Sequence, residues 1–137
     1  MEHFPDPEKV LLEMKQLITD EGRLLITFGP PWYAPYGSHM HFFCNTPYLN
    51  IFFSEKAVMN VRCAYRADGA MRYVDVESGL NKMSLKKFNS IVKKCGLKFE
   101  MLKYRPIKGQ DWLIKLPVIR ELFVNHVTCI LVKQKTF

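Results

Sequence analysis

The sequence predicts an α/β fold, a sheet with helices on both faces, and three observations carry that expectation. A helical apolar stripe over 10–18 is followed by a glycine and an apolar strand at 24–28. A second stripe over 85–92 is followed by a glycine and an alternating strand at 97–104. A β-branched run from Val127 to Val132 closes the pattern. Helix then strand, twice over, is how a sheet covered by helices reads in sequence.

Each element has a local reason. Asp6 suits the cap of the first helix, and Pro7 its first turn, where a missing N–H costs nothing. Glu8 adds a favourable charge near the positive end of the helix dipole. Val10, Leu11, Met14, Leu17 and Ile18 make one stripe at helical period. Gly22 stands where a left-handed C-terminal cap belongs. Leu24 to Phe28 runs almost without polar interruption, as in a strand covered on both faces. Gly29-Pro30-Pro31 ends it, and the loop Trp32-Tyr33-Ala34-Pro35-Tyr36-Gly37-Ser38-His39 follows. In an open α/β sheet, ligands bind beyond the carboxyl ends of strands, and this loop leaves from such an end.

Residues 39–53 read as an excursion over the strand ends with a short helix. Ser54 caps a helix running towards Arg66. Asp68-Gly69 is a turn signal, and 72–77 a short strand or extended connection. Ser84 caps the clearest later helix, with Leu85, Phe88, Ile91 and Val92 as its stripe and Gly96 as its stop. Lys86, Lys87, Lys93 and Lys94 take its outer face. Leu97, Phe99 and Met101 alternate with Lys98, Glu100 and Lys103 as a strand. Residues 106–112 form a loop and 117–123 a short helix.

The 137 residues make one ordinary domain, and an apolar fraction of 48% suffices for a core. The net charge of +7 is uneven. Up to Asn60, four Lys/Arg stand against seven Asp/Glu; from Val61 on, sixteen stand against six. A solvated basic face is the simplest account, with an anionic substrate, nucleic acid or membrane surface as alternatives. Nucleic acid is disfavoured, because the aromatics are not interleaved with the basic residues as a stacking platform needs. Cys44, Cys63, Cys95 and Cys129 are widely spaced without C-x-x-C. Reduced thiols and a cytoplasmic location are expected. No apolar run approaches a membrane span.

The first unit carries a resemblance. Glu2-His3-Phe4-Pro5-Asp6-Pro7, a helix, Glu21-Gly22-Arg23-Leu24-Leu25-Ile26, and then Phe28-Gly29-Pro30-Pro31-Trp32-Tyr33 follow in order. The chain, over residues 2 to about 133, resembles the second half of a class I S-adenosylmethionine-dependent methyltransferase of the small-molecule type. The resemblance implies a Rossmann-like sheet, of which this chain holds the C-terminal half with local strand order five, seven, six. In that order the last strand is antiparallel between its neighbours. It implies S-adenosylmethionine as cofactor and a small-molecule acceptor for the full-length parent. The family's Gly-rich turn and ribose-binding acid belong to strands that precede this stretch, and no G-x-G occurs here. The expectation is therefore a single incomplete domain, residues 1–137, a truncated form that does not act as an enzyme alone. Its unpaired strand, Arg23–Phe28, would self-associate or bind a partner chain.

Methyl transfer asks the protein to align the acceptor and, where the acceptor holds a proton, to supply a base. The resemblance places His3 at the cofactor–substrate junction as that base; the alternative is a turn residue beside the cap. Trp32, Tyr33 and Tyr36 suit the wall of a substrate pocket or a stack on a cationic group, or else a lid packed on the core. His39 and His41 would face the same pocket. They stand at i, i+2, on one face of an extended segment. A metal would need a third ligand, for which Cys44 is the nearest. His126 is expected to be structural. Two readings from another class stand beside the methyltransferase: an interaction protein that completes its sheet with a partner, and a basic nucleic-acid-binding module.

Overall fold

A computed structural model describes residues 1–134. Its helices are α1 (Pro7–Leu17), α2 (Leu49–Phe52), α3 (Glu55–Arg62), α4 (Leu85–Lys94) and α5 (Arg120–Phe123), and its strands β1 (Arg23–Phe28), β2 (Leu97–Pro106) and β3 (Val124–Lys133). The class is α/β, with one three-stranded sheet in the order β1-β3-β2. β3 is antiparallel to both neighbours, with Leu25 opposite Ile130 and Leu102 opposite Cys129. The outer edge of β1 has no strand beside it among the described residues.

The caps are those the sequence predicts. Asp6 Oδ1 accepts the Lys9 amide at 2.9 Å, Ser54 Oγ the Ala57 amide at 3.3 Å, and Ser84 Oγ the Lys87 amide at 3.0 Å. Gly96 takes a positive φ of 62° after α4, which only glycine adopts without strain. Gly22 does not act in this way. α1 ends at Leu17 with Ile18 already extended. Gly22 is needed for space instead, since a Cβ there would lie 2.7 Å from the Cβ of Ile18.

The main core lies under one face of the sheet. Leu24, Ile26 and Phe28 point into it from β1, and Val127, Cys129 and Leu131 from β3. Leu11 of α1 and the stripe Leu85, Phe88, Ile91 and Val92 of α4 close it. Phe88 meets Phe28 edge-on at 4.8 Å and Phe99 at 6.0 Å. Each such pair adds about 0.5–1.5 kcal/mol beyond area burial.

The expectation of helices on both faces is corrected here. β1 alternates between exposed and buried positions, and Leu25 is 67% exposed. Antiparallel strands can leave one face to water, whereas the apolar run had suggested burial on both. Leu17 also falls outside the predicted stripe, at 85% exposure, because α1 terminates there. The alternation of β2 breaks at a bulge between Phe99 and Met101. One inserted residue reverses the faces, so Met101 turns outward and Leu102 comes to lie opposite the buried Cys129. Residues 73–75 form a 3₁₀ turn rather than a strand.

A second cluster, including Met40, Leu49, Val58, Met59 and Tyr73, is built by residues 40–80 between β1 and α4. It is tied to the sheet layer at the Trp32 amide, which donates to the Met83 carbonyl at 2.7 Å, and at the Tyr48 hydroxyl, which donates to the Leu122 carbonyl at 3.0 Å. No helix among the described residues is long and apolar enough to cross a membrane.

Candidate functional site

The carboxyl end of β1 gathers groups from three distant stretches. Gly29, with φ of 149°, turns the chain there, and a Cβ on it would lie 2.5 Å from the Asn125 carbonyl oxygen. Its amide donates to Glu2 Oε1 at 3.1 Å. Glu2 is buried, and its other oxygen, Oε2, lies 3.1 Å from the Met1 ammonium. The Glu2 carbonyl in turn accepts the Asn81 amide at 3.0 Å. Residues 1–4 are thus held between the β1 terminus and the segment before α4, and Asn81 Nδ2 adds bonds to the Met1 and Phe4 carbonyls.

His3 and His39 meet edge to face, with ring centroids 5.2 Å apart. Nδ1 of His3 lies 2.9 Å from the Gly79 carbonyl. A carbonyl only accepts, so Nδ1 carries the proton and Nε2 keeps its lone pair in the neutral ring. His3 Nε2 stands 4.0 Å from Glu2 Oε1. His39 sits at a left-handed φ of 57°, a region in which histidine is enriched among non-glycine residues. Its Nε2 is enclosed without a hydrogen-bond partner. Burial, with the neighbouring His3 charge, pushes its pKa below the ordinary 6.5, against the opposing pull of Glu2 and the Pro30 carbonyl. The ring is therefore neutral at pH 7.

Beside His39 opens a recess of about 370 Å³ lined by Pro30, Tyr36, His39, His41, Asn45 and Asn125. Its size suits a small molecule, and its polar groups can fix an orientation. Of the predicted residues, Tyr36, His39 and His41 line the recess, whereas His3 is not among its lining residues and meets the His39 ring. Trp32 and Tyr33 lie elsewhere. Trp32 packs on the second cluster, edge-on to Tyr73 at 4.9 Å, with Lys82 Nζ 5.7 Å above its ring. The cation it meets is a side chain of its own protein. Tyr33 is half exposed, and its backbone lies beside the Glu121 carboxylate. Cys44, the nearest third ligand in sequence, packs against the second cluster instead.

Glu2 is the residue that sequence reasoning passed over. Its signal was present, because the Glu-His pair heads the turn that carries the resemblance. What it lacked was any local sign of the Gly29 amide, 27 residues away. His126 lies in β3 and meets the Thr27 hydroxyl on the outer face, in keeping with a structural role. Several basic residues are engaged in ion pairs: Lys82 with Glu55 at 2.6 Å, Lys133 with Asp20 at 3.0 Å and Lys94 with Glu8 at 3.3 Å.

No family model matches the chain, and no curated protein sequence matches it.

Proposed function

We propose that residues 1–137 form the acceptor side of a class I methyltransferase domain acting on a small molecule, and that they do not catalyse transfer alone. The observation that carries this reading is the sheet order β1-β3-β2, with the last strand antiparallel between two parallel ones. That is the order the resemblance implies for the end of such a sheet. The polar recess at the carboxyl end of β1 stands where open α/β sheets bind ligands.

In this reading the acceptor lies in the recess against Tyr36, His41 and the two asparagines. His3, its proton held on Nδ1 by the Gly79 carbonyl, offers Nε2 as base to an acceptor hydroxyl. S-adenosylmethionine supplies the methyl group, but the residues present do not fit it unaided. Gly29 has no room for a ligand's approach against Asn125, and the acid at the strand end, Glu2, is engaged by the Gly29 amide. The remaining walls of the cofactor site would come from polypeptide paired with the open edge of β1.

A second reading is favoured by that same edge. β1 is paired on one side and carries Leu25 at 67% exposure, so a partner chain could extend the sheet without any catalysis.

Calorimetric titration of S-adenosylmethionine into the purified chain, with size-exclusion chromatography of the same sample, tests both readings. No binding together with self-association is the result expected. Micromolar binding would overturn the placement of the cofactor site outside these residues. A clean monomer that ignores the cofactor would favour a binding module.

A further inference from the structure

We infer that Glu2, His3 and His39 form a binding site for one divalent transition-metal ion, with Zn²⁺ as the simplest occupant. A carboxylate oxygen of Glu2 and one ring nitrogen from each histidine lie within 4.8 Å of one another. The site is complete within this chain and does not rest on the methyl-transfer reading.

Proximity alone would carry little. The hydrogen bonding around the two rings is what points to an ion. Metal-bound histidines hold the second ring nitrogen on a carbonyl or carboxylate, which fixes the tautomer and aims the free nitrogen. His3 does this through Nδ1 and the Gly79 carbonyl at 2.9 Å. In His39, Nε2 is enclosed without a hydrogen-bond partner. His3 Nε2 stands 4.0 Å from Glu2 Oε1, and a ring nitrogen of His39 lies within 4.8 Å of both groups. A buried acceptor with nothing to accept costs free energy, and a cation at that point would relieve it.

The ligand set is two imidazoles and a carboxylate. Such a set takes a borderline divalent ion and leaves further positions open to water or substrate. Ligands about 2.0–2.1 Å from a tetrahedral ion stand about 3.4 Å apart, so loading would draw each pair, now within 4.8 Å, together by at most about 1.4 Å. Both Glu2 oxygens are already engaged, Oε1 by the Gly29 amide at 3.1 Å and Oε2 by the Met1 ammonium at 3.1 Å, and each carboxylate oxygen has a further lone pair for the ion. Among the described residues, the Met1 ammonium is the cation that competes with the ion for Glu2. His39 belongs both to the triad and to the recess, so an open coordination position beside it is within reach of a molecule bound there. With the ion bound, His3 Nε2 is a ligand and no longer a base; a hydroxyl held on the ion would have its pKa lowered and give its proton to solvent water.

The experiment uses the 137-residue chain beginning at Met1, without a polyhistidine tag and freed of metal. Co²⁺ is added as a spectroscopic probe and then displaced by Zn²⁺. One Co²⁺ per chain is expected, with the visible absorption of a site of low coordination number, displaced by one equivalent of Zn²⁺. His3→Gln, Glu2→Gln and His39→Asn should each weaken binding at least tenfold, while His41→Gln leaves it unchanged. Asparagine is chosen at 39 because it tolerates the left-handed backbone. Far-UV circular dichroism identifies any variant that fails to fold, and the remaining variants then decide. Absence of stoichiometric binding by the wild type would overturn the site. So would unchanged affinity in both folded histidine variants, or a thiolate-to-metal charge-transfer band showing that Cys44 or Cys63 holds the ion. No cofactor enters the assay, so this outcome is independent of the methyl-transfer reading.

Discussion

The Glu2 carboxylate accepts the Gly29 amide at 3.1 Å, and this bond ties the second residue of the chain to the end of its first strand. The amide faces the protein interior where β1 turns, and Glu2 itself is 8% exposed. Glu2→Ala should therefore strand a donor and cost about 1–3 kcal/mol in urea unfolding. Glu2→Gln keeps an acceptor and should recover much of that loss. Equal losses in the two variants would mean that charge, and not the hydrogen bond, holds the segment.

β1 offers a test of the one-sided sheet. Ile26 is 5% exposed and Leu25 is 67% exposed, although they are neighbours of similar chemistry. Ile26→Ala should cost about 2–5 kcal/mol, the price of a core cavity. Leu25→Ala should stay within about 0.5 kcal/mol in the monomer. A large loss at Leu25, rising with protein concentration, would reveal a partner on the outer face.

The Arg62 guanidinium, nearly buried, meets Asp68 through two bonds, one of them Nη1 to Oδ1 at 2.6 Å. The Arg62 hydrogen bond, with help from the Ala70 amide, holds the Asp68 carboxyl well below its ordinary 3.8. A depressed folded-state value contributes stability above the ordinary value, and that stability is lost as pH falls through 3.8 towards the folded value. Asp68→Asn should lower the melting temperature at pH 6. The gap between variant and wild type should narrow below pH 3.8. A gap independent of pH would mean that the pair contributes no charge-linked stability.

Burial pushes the Cys129 thiol up to about 11, and its side chain is enclosed beneath β3. The thiolate is the reactive form, so Cys129 should resist a disulfide reagent at pH 8 until the chain unfolds. Cys63, exposed beyond α3, should react at once. Labelling read by peptide mass would show the difference. Prompt reaction at Cys129 would place its strand outside the core.

The elements with strong local signals were legible in the chain itself. Asp6, Ser54 and Ser84 each sit at a helix start because a short side-chain oxygen there satisfies an orphan amide two or three residues on. Gly96 ends α4 because only glycine takes its backbone freely, and Leu85, Phe88, Ile91 and Val92 share a face by helical period alone. His39 and His41 line a recess at the carboxyl end of β1, together with Tyr36.

What the tertiary structure decided were relations that no window of sequence contains. Whether Leu25 is buried depends on what covers the sheet, and an apolar run reads alike whether one face or two are covered. The bulge after Phe99 turned Met101 outward, because one extra residue reverses a period of two. Trp32 went to Tyr73 and Lys82 rather than to the recess, through contacts about forty and about fifty residues away in the chain. The triad of Glu2, His3 and His39 likewise joins two ends of a long excursion. Capping and periodicity are local free energies and are written in neighbouring residues. The meeting of remote side chains is set by how the layers pack, and it exists only in the folded chain.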